Sequence, residues 1–100
     1  MKHDDPVNDE AWLLRVHGRV QGVGFRDGCV DAALAAGLHG WVRNRRDGTV
    51  EMLVQGSPTA LGRWRSGLRH MLPHARVDAI EDTPVATDPT LRGFVRLPTE

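Results

Sequence analysis

Apolar positions along the chain alternate between a period of two and a period near 3.6, and each change of period marks an element. From Trp12 to Gly18 the chain reads as a strand, with Leu14 and Val16 on one face and Leu13, Arg15 and His17 on the other. From Phe25 to Ala36 the period lengthens to that of a helix. Cys29, Val30, Ala33 and Leu34 share one side of it, and Gly37 supplies a C-terminal stop. Gly28 is a poor helix former in its first turn, and either admits another segment closely or only weakens the start. Strands are expected over His39–Arg45 and Thr49–Gln55, joined at Asp47-Gly48 by a two-residue hairpin turn with positive φ at both central positions. Ser57 and Pro58 are suited to the N-cap and first position of a second helix. On it Leu61, Trp64, Leu68, Met71 and Leu72 form an apolar stripe that Pro73 ends, with Trp64 read as core.

A fourth strand over Ala75–Thr83 alternates imperfectly around Val77, Ala79 and Ile80. A loop over Pro84–Arg92 and a short edge strand over Gly93–Leu97 follow. Met1–Glu10 has no periodicity and is expected to be a flexible tail, ahead of a single domain over residues 11–100. The order is β-α-β-β-α-β with one addition. This predicts an α+β, ferredoxin-like split βαβ sandwich: an antiparallel sheet with two helices on one face and a short extra C-terminal strand. In that topology the first two strands run the same way with the third between them. Their exits therefore share one end of the sheet, about 10 Å apart.

Composition narrows the function. Thirteen basic residues balance thirteen acidic ones, so overall charge argues for neither nucleic acid nor membrane as a partner. No apolar run approaches the ~20 residues of a membrane span. One cysteine and a start without a signal-peptide pattern fit the cytoplasm. The five histidines lack metal-ligand spacing, so no metal and no cofactor is expected. Third-strand positions carry no aromatic residue, which leaves a base-stacking platform for RNA poorly supplied.

Candidate chemistry concentrates between the first strand and the first helix, in Gly18-Arg19-Val20-Gln21-Gly22-Val23-Gly24-Phe25-Arg26. A glycine-rich turn that opens a helix leaves main-chain N–H groups unpaired at the positive end of the helix dipole, which suits an anion and phosphate in particular. The blander reading is a tight turn whose glycines only satisfy positive φ. Arg26 adds a planar fork of donors that matches phosphate. Asn44, at the exit of the second strand, faces this loop in the expected topology. Its alternative is a role in starting the hairpin. Arg43, Arg45 and Arg46 read as a solvated hairpin rim. Arg stays charged and Asn is not basic, so neither is a general base. Catalysis here would work by positioning and by electrostatic stabilisation of a phosphoryl group with a good leaving group. Asn44 would hold the attacking water.

At these residues the sequence resembles the acylphosphatases. Gly18-Arg19-Val20-Gln21-Gly22-Val23-Gly24-Phe25-Arg26 matches one family motif and Gly40-Trp41-Val42-Arg43-Asn44 the other. Gly48, Val50 and Gly56 follow at the expected offsets, and the likeness spans about residues 12–97. Arg45 stands where the family often has a hydroxyl residue. The resemblance implies a small, metal-independent, cytoplasmic hydrolase whose partner is a small-molecule acyl phosphate, and the chain is expected to act as a monomer. By it, Arg26 and Asn44 are the catalytic residues, and Val20, Gln21, Gly22, Val23, Gly24 and Phe25 bind the substrate phosphate through their main chain.

Overall fold

The computed structural model describes residues 8–100. Its elements are β1 (Glu10–Arg19), α1 (Phe25–Ala35), β2 (His39–Asn44), β3 (Val50–Gly56), α2 (Pro58–Gly67), a 3-10 turn (Leu68–His70), β4 (Arg76–Val85) and β5 (Phe94–Arg96). Most of the expected tail, residues 1–7, lies outside the described residues. Glu10, placed at its end, already pairs with Gly56 in the sheet.

The five strands lie in the order β4-β1-β3-β2-β5. β3 sits centrally, antiparallel to both β1 and β2, and its side chains are buried at nearly every position. The flanking strands alternate as half-covered strands should. Leu14 and Val16 on β1, and Val42 on β2, face the helices and are fully buried. Phe25, Cys29 and Ala33 from α1, with Leu61, Trp64 and Leu68 from α2 and its 3-10 extension, close the other side of the core. Burying the larger of these, such as Leu14, Val16, Phe25 and Leu61, contributes about 1.5–3 kcal/mol each before conformational entropy is subtracted. Leu34 departs from the expected apolar face and is half exposed.

Local chemistry sets the element ends. Ser57 Oγ accepts the Ala60 N–H at 3.2 Å and Pro58 takes the first helical position. Gly28 does admit another segment. A side chain there would meet Met71 Cε at 3.4 Å and Leu72 Cδ1 at 3.6 Å, so the stretch after α2 packs on the first turn of α1.

Three expectations need correction. The sheet is mixed rather than antiparallel throughout, because β5 runs parallel to β2 with Val42 opposite Arg96. Pro84 belongs to β4 and not to a loop; β4 is an edge strand, where a missing N–H is tolerated. The hairpin is also not a two-residue turn. Among the described residues none other than glycine has positive φ, so Asp47 does not adopt the conformation that turn requires. Instead the Gly48 N–H donates to the Arg45 carbonyl at 3.1 Å and the Arg45 N–H to the Thr49 carbonyl at 2.8 Å, which closes a three-residue loop with Gly48 at φ 93°. Asp47 gains from the right-handed conformation. Its Oδ1 accepts from Thr49 N–H at 3.0 Å and from Thr49 Oγ1 at 2.6 Å.

Those bonds from the Thr49 hydroxyl and amide, helped by Arg15 and Arg45, hold the Asp47 carboxyl below its usual range. A depressed folded pKa stabilises above the unfolded value and is lost as pH falls through the folded one. Asp47→Ala should therefore lower the melting temperature at neutral pH. The gap to wild type should narrow in melts recorded at about pH 2, below the ordinary carboxylate range.

Candidate active site

The chain leaves β1 at Arg19 and enters α1 at Phe25. The residues between are held by apolar anchors at both ends, since Val20 and Phe25 are fully buried. Gly18, the first glycine of the sequence motif, serves the sheet and not this loop. The β1–β4 register shifts between His17 and Gly18, and a side chain at Gly18 would collide with the Arg76 carbonyl. The loop itself turns on Gly22 at φ 76° and Gly24 at φ 80°, both left-handed, and both with open space where a side chain would stand. Conformation rather than crowding requires glycine here.

Gly24 is the N-cap of α1 and offers no side chain to the first turn. The first helical bond is Gly28 N–H to the Gly24 carbonyl at 3.1 Å. Among the described residues, the main-chain N–H groups from Val20 to Asp27 donate to no protein acceptor. Alternating left-handed turns bring such groups onto one concave surface, where they complement an anion. Val20, Gly22, Gly24, Phe25, Arg26, Asp27 and Arg96 line a concavity of about 210 Å³. Arg26 is half buried and, among the described residues, has neither an ion pair nor a side-chain hydrogen bond. The motif thus puts a chain of unsatisfied donors and one uncommitted guanidinium in one place.

Asn44 lies at the last position of β2, on the helix-covered face it shares with Val42, and is only 8% exposed. Its Oδ1 is buried and accepts no hydrogen bond. It does not line the concavity that holds Arg26. What joins the two is the side chain of Gln21. Its Nε2 donates to the Arg45 carbonyl at 2.8 Å and to the Thr49 carbonyl at 2.9 Å, clamping the loop onto the hairpin that begins beside Asn44. The sequence reading used only the main chain of Gln21. Its side chain could be recognised only once loop and hairpin were neighbours. The opposite edge of β2 is held as well. Leu97 N–H donates to the Val42 carbonyl at 2.8 Å and Glu100 N–H to the Asn44 carbonyl at 3.0 Å.

The arginines of the hairpin are less solvated than expected. On the open face of the sheet, Glu51 is buried and accepts from Arg43 Nε at 3.0 Å and from Arg45 Nη1 at 3.3 Å, with Arg15 Nη2 at 3.6 Å. Arg43 also meets Glu100 at 2.6 Å and stacks over Trp41 at 4.9 Å. Their charge is largely spent within the sheet. Of the three hairpin arginines, Arg46 alone has an exposed side chain. Cys29 is fully buried and burial pushes its thiol strongly up, so no thiolate nucleophile is available there. Among the described residues, no three His, Cys, Asp or Glu side chains cluster as metal ligands would, and no helix is long and apolar enough to cross a membrane.

The acylphosphatase family model matches residues 12–96, which include every element from the glycine loop to β5. This chain belongs to the acylphosphatase family. An acylphosphatase of Polaromonas naphthalenivorans is 43% identical over 99 residues, covering 98% of each chain. The crystal structure of acylphosphatase from Bacillus subtilis superposes with a TM-score of 0.84 at 34% identity, covering 88% of this chain and 98% of that one. The acylphosphatase structure from Coxiella burnetii gives 0.86 at 26% identity, over 97% of this chain and all of its own. The family is one of hydrolases on a ferredoxin-like scaffold, and the five-stranded sheet with its two helices is that scaffold.

If Gln21 is the clamp between loop and hairpin, Gln21→Ala should cost about 1–2 kcal/mol in urea unfolding, for two partly buried hydrogen bonds. Amide exchange at Gly22 and Gly48 should accelerate, while exchange in the β1–β4 ladder stays unchanged. Uniform acceleration across the sheet would assign Gln21 a global role instead.

Proposed function

We propose that this protein hydrolyses the carboxyl–phosphate bond of acyl phosphates to carboxylate and inorganic phosphate, without a metal. The observation that carries the reading is the run of unsatisfied main-chain donors from Val20 to Asp27, a segment of which Val20, Gly22, Gly24, Phe25 and Asp27 line the same concavity as Arg26, in a chain of this family. The main chain of Val20, Gln21, Gly22, Val23, Gly24 and Phe25 holds the phosphoryl oxygens, and Arg26 binds two of them through its fork. These donors are fixed before the substrate arrives, so little reorganisation is needed as charge develops on the equatorial oxygens.

Asn44 orients the water. Its unpartnered Oδ1 supports this, because a buried acceptor without a donor is costly unless something completes it. The water oxygen attacks phosphorus as the bond from phosphorus to the acyl oxygen breaks. The carboxylate leaves with that electron pair, and the water proton passes to a phosphoryl oxygen. No side chain need act as base, because a carboxylate is a good leaving group and a loose transition state asks little of the nucleophile. The enzyme acts as a cytoplasmic monomer on a small molecule, with neither nucleic acid nor membrane as partner.

Phosphate release from benzoyl phosphate with a chelator present tests the reaction. Arg26→Ala should remain folded by circular dichroism yet lose most of its turnover, since one preorganised donor is worth about 3–4 kcal/mol of transition-state stabilisation. Full activity in that variant would overturn the assignment. Asn44→Ala should lower kcat strongly while leaving competitive inhibition by inorganic phosphate nearly unchanged. Equal losses in both would make Asn44 a phosphate ligand.

A further inference from the structure

A second guanidinium lines the concavity beside the loop. Arg96 comes from β5, opposite Val42, and lines the same surface as Gly22, Gly24 and Arg26. Its Nη1 donates to Asp27 Oδ1 at 2.8 Å, and the two side chains are 50% and 69% exposed. No other arginine beyond Arg26 lines this cavity. Neither loop geometry nor core packing uses Arg96, and only one of its five donors has a partner among the described residues.

We propose that Arg96 is a specificity residue that reads a carboxylate on the acyl portion of the substrate. The inference rests on the phosphoryl-binding reading above and narrows it, to acyl phosphates that carry a second anionic group. With the phosphoryl end held by the loop and Arg26, an acyl group lying along the same concavity passes Gly22 and Gly24, which offer no side chains, and reaches Arg96. Charged chemistry at that end comes from Arg96 and Asp27. An ion pair this exposed contributes little, so a substrate carboxylate can take the place of Asp27 on Arg96 at small cost. A neutral acyl group leaves the pair intact and gains nothing from it. Asp27 thereby acts as a resident competitor, and it also repels an anionic acyl group that fails to engage Arg96.

The test compares two isosteric phosphonates, 3-phosphonopropionate and its neutral amide 3-phosphonopropionamide, by calorimetry and as competitive inhibitors of benzoyl phosphate hydrolysis. Wild type should bind the carboxylate-bearing ligand about threefold to fivefold more tightly, the range of an exposed ion pair. Arg96→Gln should bring the ratio to about one, Arg96→Lys should keep part of it, and Asp27→Asn should widen it. Phosphate affinity and the thermal melt confirm that each variant is folded. An equal ratio in wild type and Arg96→Gln, or no preference in wild type, overturns the inference while benzoyl phosphate hydrolysis leaves the proposed reaction standing. A wild type inert toward benzoyl phosphate overturns the reaction, and the substrate class inferred here with it.

Discussion

The constraint on which this molecule turns is the path of the main chain from β1 into α1. Buried Val20 and Phe25 fix the two ends of the path, and left-handed Gly22 and Gly24 fix its shape. A chain so held leaves its N–H groups from Val20 to Asp27 without a protein acceptor among the described residues, beside a concave surface. The fold thus stores a set of unsatisfied donors at one place and keeps them there by packing. Cys29 and Ala33, buried further along α1, hold the helix to the sheet so that its positive end stays aimed at the same surface.

The split βαβ order then decides what can stand near those donors. Placing β3 between β1 and β2 brings the exit of β2 to the same end of the sheet as the loop. Gln21 makes that proximity rigid through two backbone carbonyls of the hairpin. β5 extends the sheet beyond β2, and the bonds from Leu97 and Glu100 hold the strand that ends in Asn44 from its other edge. Asn44 is consequently one of the few buried polar side chains, with its oxygen unpartnered on the covered face.

Charge is distributed with the same economy. Glu51, buried on the open face, gathers Arg15, Arg43 and Arg45 around itself and removes them from the field that a ligand would meet. Arg26 has no comparable partner among the described residues, and Arg96 has only an exposed one in Asp27. Of the many arginines in this chain, two are thus left to face the concavity with most of their donors free. An even balance of charge over the whole sequence conceals this local excess.

Local chemistry made much of the molecule legible beforehand. The alternation of Leu14 and Val16, the stripe of Leu61, Trp64 and Leu68, and the Ser57-Pro58 cap are properties of neighbouring residues and were found where the pattern placed them, whereas Met71 and Leu72, expected on the same helix, lie beyond α2 and its 3-10 turn. The motif around Gly22, Gly24 and Arg26 was legible for the same reason, since left-handed φ is a property of glycine itself. Contacts between distant segments decided the rest. Gly18 belongs to a bulge against β4, Asp47 prefers bonds to Thr49 over a left-handed turn, and Arg43 and Arg45 are captured by Glu51. Likewise, the parallel pairing of β5, the clamp made by Gln21 and the arrival of Arg96 beside Arg26 depend on strand order. Periodicity reports which face of an element is apolar, but it carries no record of the polar partner that folding brings from far along the chain. For that physical reason the sequence alone determined the elements and the donor loop, and only the tertiary structure decided what stands around that loop.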